Sequence, residues 1–251
     1  MQNIFFIWFS NGVIKKWPFI NNLSIKSAKL QNPNCKINLY LSHPIEDPDF
    51  LSTYQKYVDK FVLIDNEKYE YYKGCKLEYF AHKCDILRLE LIIKYGGLYL
   101  DLDTISLKSI EDVILKKDRC CIFPDYYGIS NYILYAPVEN TLGYQKILKT
   151  YCSFRSRGVD HFYLENISYF YRVIYENNKN DFCYFEYDEN NMNFMGFNEA
   201  CDIYNKNLKF KDNVYIAHIF KNDLYIKASN PTKEYILNNK NTINNILKNL
   251  I

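Results

Sequence analysis

The stretch that most constrains the fold runs from residue 80 to residue 104 and has the sequence FAHKCDILRLELIIKYGGLYLDLDT. Its first part predicts a helix, because apolar residues recur at helical spacing; these are Phe80, Cys84, Leu87 and Leu91. Gly96 and Gly97 end the helix, since glycine adopts a left-handed cap without a Cβ clash. The short strand that follows carries Asp101 and Asp103 at its C-terminal end, where open α/β sheets bind ligands.

The strand after the glycines alternates between two kinds of residue. Its leucines, which we expect to face the core, are Leu98, Leu100 and Leu102. Tyr99 shares the opposite face with Asp101 and Asp103. Two carboxylates so close together repel each other unless a cation lies near them, and Mn²⁺ or Mg²⁺ accepts oxygen ligands of this kind. The pattern predicts a divalent-metal site that also holds a diphosphate; the alternative is that the aspartates only cap a turn.

Asp85 and Arg88 lie three residues apart on the predicted helix, so their side chains are neighbours on a face other than the apolar one. One interpretation is an exposed ion pair, which stabilises a helix by only about 0.3–0.5 kcal/mol. The position of the pair, one helix before the two aspartates, favours a role in the site instead.

The segment from residue 84 to residue 104 combines D-I-L-R with Y-G-G-x-Y-x-D-x-D. It resembles the signature of the sugar-nucleotide-dependent glycosyltransferases with a D-x-D motif, family 32, which is distantly related to the glucosylating clostridial toxins. Cys84 stands where the family usually has serine. The resemblance implies a GT-A fold, a retaining transfer of a hexose from a nucleotide sugar, and Mn²⁺ or Mg²⁺ as the cofactor.

The resemblance also implies roles for individual residues. Asp103 would bind the metal directly and Asp101 through water or the ribose, so both count as catalytic residues. Arg88 would hold sugar hydroxyls and lie near the departing phosphate. Within the motif, the residues expected to contact the donor are Asp85, Arg88, Tyr99 and Leu102.

Weaker traces of the same family occur at three other places. Trp8 and Phe9, at the end of the first strand, match the stretch that meets the nucleotide base, although Trp8 fits a core aromatic equally well. Asn131 matches a segment that contacts sugar or acceptor, and it could also simply bond a strand-end backbone. His218 matches part of a late histidine turn that closes on the metal or diphosphate; a structural histidine is the alternative.

The rest of the chain alternates strands with helices, which predicts a mostly parallel, Rossmann-like sheet flanked by helices. Predicted strands cover residues 3–9, 36–41, 61–64, 119–124, 182–187 and 214–220. Predicted helices cover residues 21–30, 140–154, 161–176 and 232–251, with shorter ones beginning at Asp47-Pro48 and at the capping box of residues 109–112. We expect one α/β domain over residues 1–251, with a nucleotide-sugar-binding core to about residue 140 and a helical, acceptor-side part after it. No G-x-G-x-x-G follows the first strand, so a dinucleotide cofactor is not expected.

The composition limits which binding partners and which cellular location can be expected. A formal charge of +2 gives no reason to expect nucleic acid. The eight cysteines form no C-x-x-C, which favours free thiols and a cytoplasmic location. No stretch approaches the roughly 18 apolar residues of a membrane span, and the apolar N-terminus predicts a buried strand rather than a signal peptide. Peripheral membrane association stays compatible with these features.

Three functions stay open from the sequence. The favoured one is a metal-dependent hexosyltransferase that uses a UDP-sugar and a glycan acceptor, such as capsule or lipooligosaccharide, or, as in the toxins, a protein acceptor. The segment LYLDLDT also fits a haloacid-dehalogenase-type phosphatase with Asp101 as the nucleophile. Such a motif normally lies on the first strand, and no late acidic pair is evident. A catalytically silent sugar-binding protein on the same fold is the third alternative.

Overall fold

The computed structural model describes residues 2–125, 128–151, 167–185, 194–195, 214–219, 232–240 and 242–251. The strands are β1 (Asn3–Trp8), β2 (Lys36–Leu41), β3 (Lys60–Leu63), β4 (Tyr71–Tyr72), β5 (Cys75–Lys76), β6 (Gly97–Leu100), β7 (Thr104–Ser106), β8 (Cys120–Asp125), β9 (Gly128–Ala136), β10 (Phe182–Tyr184), β11 (Phe194–Met195) and β12 (Ile216–His218). The α-helices are α1 (Phe19–Gln31), α2 (Phe80–Tyr95), α3 (Leu142–Thr150), α4 (Tyr169–Asn177), α5 (Lys233–Asn238) and α6 (Thr242–Lys248).

A seven-stranded sheet organises the described residues, in the order β10-β8-β9-β6-β1-β2-β3. Strand β1 lies between β2 and β6 and is parallel to both, and β2 is parallel to β3. Strands β8 and β10 are also parallel, whereas β9 runs antiparallel to both of its neighbours. The predicted mostly parallel, helix-flanked sheet is therefore confirmed.

A smaller sheet joins a strand from the last part of the chain to a strand from its middle. Strand β12 pairs with β7 in antiparallel register, so that His218 lies opposite Thr104, and it pairs in parallel with β11. This pairing carries a late strand to the segment directly after the two aspartates.

The large sheet has a separate hydrophobic core on each face, because alternate side chains of a strand point to opposite faces. Ile4 and Phe6 of β1 pack on the side of α1 and the small sheet, and Phe5 and Ile7 pack on the side of α2 and α3. All four are at most 4% exposed. Burying one such side chain contributes about 1.5–3 kcal/mol, so both layers hold the central strand in place.

The predicted glycine stop after α2 is confirmed. Gly96 has φ +61°, and its N–H donates to the carbonyl of Ile92. Gly97 has φ +103°, and a Cβ on it would lie 2.6 Å from the carbonyl oxygen of Asn3 in β1. Glycine is therefore needed twice here, once to end the helix and once to let β6 approach β1.

Two helix predictions are wrong. Residues 111–116 form hydrogen-bonded turns rather than a helix, because the Ser109 hydroxyl accepts from the N–H of Glu111 and Asn32 takes the N–H of Ile110. The final predicted helix is two short ones, α5 and α6, and residues 239 and 240 after α5 are not helical. The predicted helix over residues 161–176 can be compared only from residue 167, since the preceding residues lie outside the described ones; there, α4 agrees with it.

Two predictions from composition can also be compared. The cysteines among the described residues are free thiols, as expected: Cys35, Cys75, Cys84, Cys120, Cys121 and Cys183. The remaining two, at positions 152 and 201, lie outside the described residues. Within the described part of the chain, every helix is too short or too polar to cross a membrane.

Candidate active site

The two aspartates lie in a turn at the carboxyl end of β6, and not in the strand as predicted. The strand ends at Leu100. The N–H of Asp101 donates to the carbonyl of Tyr132 at 2.9 Å, and the carbonyl of Asp101 accepts from the N–H and the hydroxyl of Thr104 at 3.1 and 2.7 Å. Because Thr104 closes the turn, both carboxylates are held at the edge of the sheet where its parallel strands end.

Behind this turn lies a buried group that we call the inner cluster: Asp85, Arg88 and Asn131. The Asp85 carboxylate is 3.3 Å from the Arg88 guanidinium and accepts from the Asn131 amide at 2.6 Å. Arg88 also donates to the carbonyl of Asn131 at 2.6 Å. The predicted neighbours on α2 therefore form a buried pair, completed by a residue of β9.

Arg88 connects the inner cluster to the first aspartate of the turn. Its Nη1 is 3.3 Å from Asp101 Oδ1, and its guanidinium lies over the ring of Tyr99, 4.4 Å from the ring centroid. The Tyr99 hydroxyl donates to the same Asp101 oxygen at 2.5 Å. One hydrogen bond and one ion pair thus hold the same carboxylate oxygen of Asp101.

Burial and neighbouring charged groups together set the pKa values in the inner cluster. It raises the pKa of Asp85 to about 7, against the opposing effect of the Arg88 charge. Burial acts to lower the pKa of Arg88, but nearby Tyr99, Asp101 and Asp85 outweigh it and raise that pKa well above its ordinary value. The second carboxylate oxygen of Asp85 is buried without a hydrogen-bond partner among the described residues.

Nearer to solvent lies the outer cluster, formed by Asp101, Asp103 and His218. One ligand atom from each lies within 4.8 Å of the others. His218 Nε2 is 3.1 Å from Asp103 Oδ1, and its ring stacks on Tyr132 with the centroids 4.3 Å apart. Two carboxylates and an imidazole fit Mn²⁺, which accepts oxygen and nitrogen ligands, and leave positions for other ligands. The residues present therefore fit a divalent metal.

The outer cluster opens into a cleft of about 510 Å³, which we call the donor cleft. The predicted site residues that line it are Trp8, Phe9, Arg88, Tyr99, Asp101, Leu102 and Asp103. The remaining ones lie beside it: Asp85 and Asn131 contact Arg88, and His218 contacts Asp103. The structure thus brings all the predicted site residues to one place.

Comparison with known proteins agrees with this geometry. Residues 18–120 match a family model described as a glycosyltransferase sugar-binding region containing a DXD motif. Residues 18–120 are thus a DXD glycosyltransferase region. A search of curated proteins finds no significant match to the chain.

Solved glycosyltransferases share the fold of this protein. The PaToxG glycosyltransferase is 18% identical, with a TM-score of 0.51 and coverage of 70% of this chain and 69% of that one. A Q189E active-site mutant of LgtC is 14% identical, with a TM-score of 0.51 and 87% coverage of each chain. Mouse xyloside xylosyltransferase 1 is 11% identical, with a TM-score of 0.51 and coverage of 86% and 96%. At these identities the likeness concerns the fold, which is of the GT-A type.

Two residues of the site were not identified from the sequence. Phe80 was assigned to the apolar stripe of α2, but it is 36% exposed, lines the donor cleft and stacks on Phe9 with the centroids 6.4 Å apart. Its place as the first residue of α2, at the mouth of the site, was the available signal. Tyr132, which supports His218, gave no signal, because that contact spans 86 positions of sequence between two unrelated segments.

Proposed function

We propose that the protein transfers a hexose from a nucleotide sugar, with a UDP-sugar favoured, to a glycan acceptor such as capsule or lipooligosaccharide, with retention of anomeric configuration. The observation that supports this most is that Asp101 and Asp103 of the outer cluster line one cleft with Arg88 of the inner cluster, at the carboxyl ends of parallel strands. We assign donor binding to residues up to about 140 and acceptor contacts mainly to the later part, within one domain. The cytoplasmic location inferred from the cysteines belongs to the same proposal.

The outer cluster would hold the metal, as Mn²⁺ or Mg²⁺, through Asp103, Asp101 and His218. A divalent cation supplies Lewis-acid stabilisation of the charge on a departing diphosphate. Tyr99 holds Asp101 by a hydrogen bond and Arg88 holds the same oxygen by an ion pair, so the carboxylate does not need to reorganise when the donor binds.

The inner cluster would hold the transferred sugar. Asp85 has one carboxylate oxygen bonded to Asn131 and near Arg88, while its second oxygen has no partner in the described part of the chain. A sugar hydroxyl satisfies such an oxygen, whereas leaving it without a partner costs about 1–3 kcal/mol or more. Trp8 and Phe9, which also line the cleft, offer aromatic surface to the nucleotide base.

The test is nucleoside-diphosphate release from UDP-glucose, UDP-galactose, UDP-N-acetylglucosamine and GDP-mannose, with Mn²⁺ and with a chelator. We expect metal-dependent release from one donor. Asp103→Asn should reduce the rate by a factor on the order of 10² to 10³, because it weakens the group that binds the metal. Asp112→Asn is the matched control, since the Asp112 side chain is 83% exposed and forms a surface ion pair with Lys116.

Two results would contradict the proposal. One is release that is unaffected by chelator and by Asp103→Asn. The other is the absence of release from every donor together with hydrolysis of p-nitrophenyl phosphate, which would support the phosphatase alternative with Asp101 as the nucleophile.

A further inference from the structure

A second cleft, of about 630 Å³, lies beside the donor cleft. The start of α1, the turn that follows β2 and the start of α5 form its walls. The two clefts share a wall, because the ring of Trp17, which lines the second cleft, meets the ring of Trp8, which lines the donor cleft, with the centroids 5.4 Å apart. The consecutive residues Asn21 and Asn22 line the donor cleft and the second cleft respectively.

Two polar atoms of the second cleft lack partners. Trp17 and Asn22 are each only 3% exposed, and within the described residues neither the indole Nε1–H of Trp17 nor the Oδ1 of Asn22 has a hydrogen-bond partner. Folded proteins pair nearly all such buried groups, because leaving them unsatisfied is costly. One donor and one acceptor in residues that line the same cleft therefore indicate a ligand that can both accept and donate.

The charges around the second cleft favour a neutral ligand. Its lining carries two lysines and two aspartates, whose formal charges cancel: Lys16, Lys233, Asp47 and Asp49. Asp47 is already used within the protein, because its carboxylate accepts from the N–H groups of Trp17, Asp49 and Phe50. Neither a phosphate nor a metal ion matches this balance.

The aromatic residues of the second cleft complete its chemistry. Phe19 and Tyr54 line it and meet edge to face, with the centroids 6.2 Å apart. Its volume lies within the range of small-molecule sites, which are mostly apolar with a few placed polar groups. A pyranose ring has this combination of apolar faces and hydroxyls that donate and accept.

We propose that the second cleft binds a neutral hexose unit of the acceptor glycan, with Trp17 Nε1–H donating to one sugar hydroxyl and Asn22 Oδ1 accepting from another. The acceptor part of this inference rests on the proposed function, and it adds an acceptor contact before residue 140 to those assigned to the later part of the chain. The shared wall of Trp8 and Trp17 then holds the acceptor beside the donor, so the two substrates meet by proximity rather than by chance encounter.

The chain offers a direct readout, because its only two tryptophans are Trp8 and Trp17. The protein labelled with 5-fluorotryptophan should give two ¹⁹F resonances, and Trp8→Phe identifies the one from Trp17. The probes are the methyl glycosides of glucose, galactose, mannose and N-acetylglucosamine. We expect one of them to shift the Trp17 resonance saturably, with or without UDP and Mn²⁺.

Asn22→Leu tests the contact itself. It should abolish the ¹⁹F response to the sugar and raise the acceptor KM at least tenfold, while the donor KM and metal-dependent diphosphate release without acceptor stay unchanged. Thermal stability should not fall, because the substitution removes a buried oxygen that has no partner. The control is Asn32→Leu, in which a buried asparagine that bonds Ala28 and Ile110 is lost, so stability should fall.

The inference is overturned if no glycoside shifts the Trp17 resonance, or if Asn22→Leu leaves the sugar response intact. Diphosphate release from wild type would persist in that case if the proposed function is correct. Conversely, absence of release from wild type counts against the proposed function, while the ¹⁹F titration still decides whether the second cleft binds a sugar.

Discussion

The inner and outer clusters differ in how their charges are compensated. At the inner end the side chains of Asp85 and Arg88 are 1% and 6% exposed, and they face each other and Asn131. At the outer end the side chains of Asp101 and Asp103 are 26% and 18% exposed, and their oxygens lie close to a third ligand atom from His218. A buried charge must be paired within the protein, whereas a partly exposed one keeps coordination positions for a ligand. The charges of the inner cluster are therefore paired mainly within the protein and belong to its structural scaffold, with the second Asp85 oxygen left for the proposed sugar contact, whereas the outer cluster keeps positions for the proposed metal ion.

The largest expected effect is on stability at the inner end. Arg88→Met removes the guanidinium that contacts Asp85, Asp101 and Asn131, so buried polar groups lose their partner. Unfolding by denaturant should show a loss of about 3–5 kcal/mol. Arg119→Met is the matched control, because the Arg119 side chain is 39% exposed and its loss should change stability far less. Equal losses in the two variants would remove the distinction between scaffold and surface.

A smaller effect, stabilisation by bound metal, is expected at the outer cluster. Mn²⁺ at 100 times its dissociation constant should stabilise wild type by about 2.7 kcal/mol, seen as a rise in Tm, because it binds only the folded state. Asp103→Asn should lose this rise yet be no less stable than wild type without metal, since it relieves repulsion between two nearby carboxylates. A variant that is strongly destabilised without metal would show that Asp103 belongs to the scaffold.

The raised pKa of Asp85 predicts a pH dependence that belongs to the inner end. Between the ordinary value of 3.8 and about 7, the folded state binds this proton more tightly than the unfolded state. The associated stability is fully present below 3.8 and is lost as pH rises through about 7. With chelator present, denaturation from pH 4 to pH 8 should show wild type losing stability that Asp85→Asn retains. Parallel curves for the two proteins would contradict the raised pKa.

The smallest expected effect compares two thiols. Burial raises the pKa of Cys84, beside the inner cluster, to about 12. The pKa of Cys183 is lowered to about 6, mainly by a hydrogen bond from Cys121 and further by Lys117 and Arg119. At pH 7, iodoacetamide should label Cys183 faster than Cys84 by a factor on the order of 10² or more, measured by peptide mass spectrometry. Cys121→Ala should slow the labelling of Cys183; comparable rates for the two thiols in wild type would refute the contrast.

Local features of the site were predictable from the sequence because they depend on neighbours along the chain. The spacing of Asp85 and Arg88 gives their contact, the two glycines give the end of α2, and the alternation after them places Tyr99 beside Asp101. The helix predicted from the capping box at residues 109–112 is absent, although a capping box is also a local feature. Asn32, 78 residues before Ile110, takes the N–H of that residue, and no sequence pattern shows this.

Features that depend on tertiary pairing could be predicted only in part. His218 was proposed as a metal ligand from a partial motif, and its proximity to Asp103 comes from the register between β12 and β7. The second cleft had no sequence signal, because Trp17, which precedes α1, and Asn22, which lies within it, belong to no recognisable motif. Their missing partners become visible only when the whole surrounding structure is known.

The pairing of β12 with β7 has a consequence for biosynthesis. Asp103 and His218 are 115 positions apart, so a chain still emerging from the ribosome carries both carboxylates of the outer cluster long before the imidazole. N-terminal segments generally begin to fold first during translation. The large sheet can therefore gather its early strands while the outer cluster is still incomplete. The three-residue cluster becomes complete only when β12 docks, which makes it a late event in the maturation of the protein.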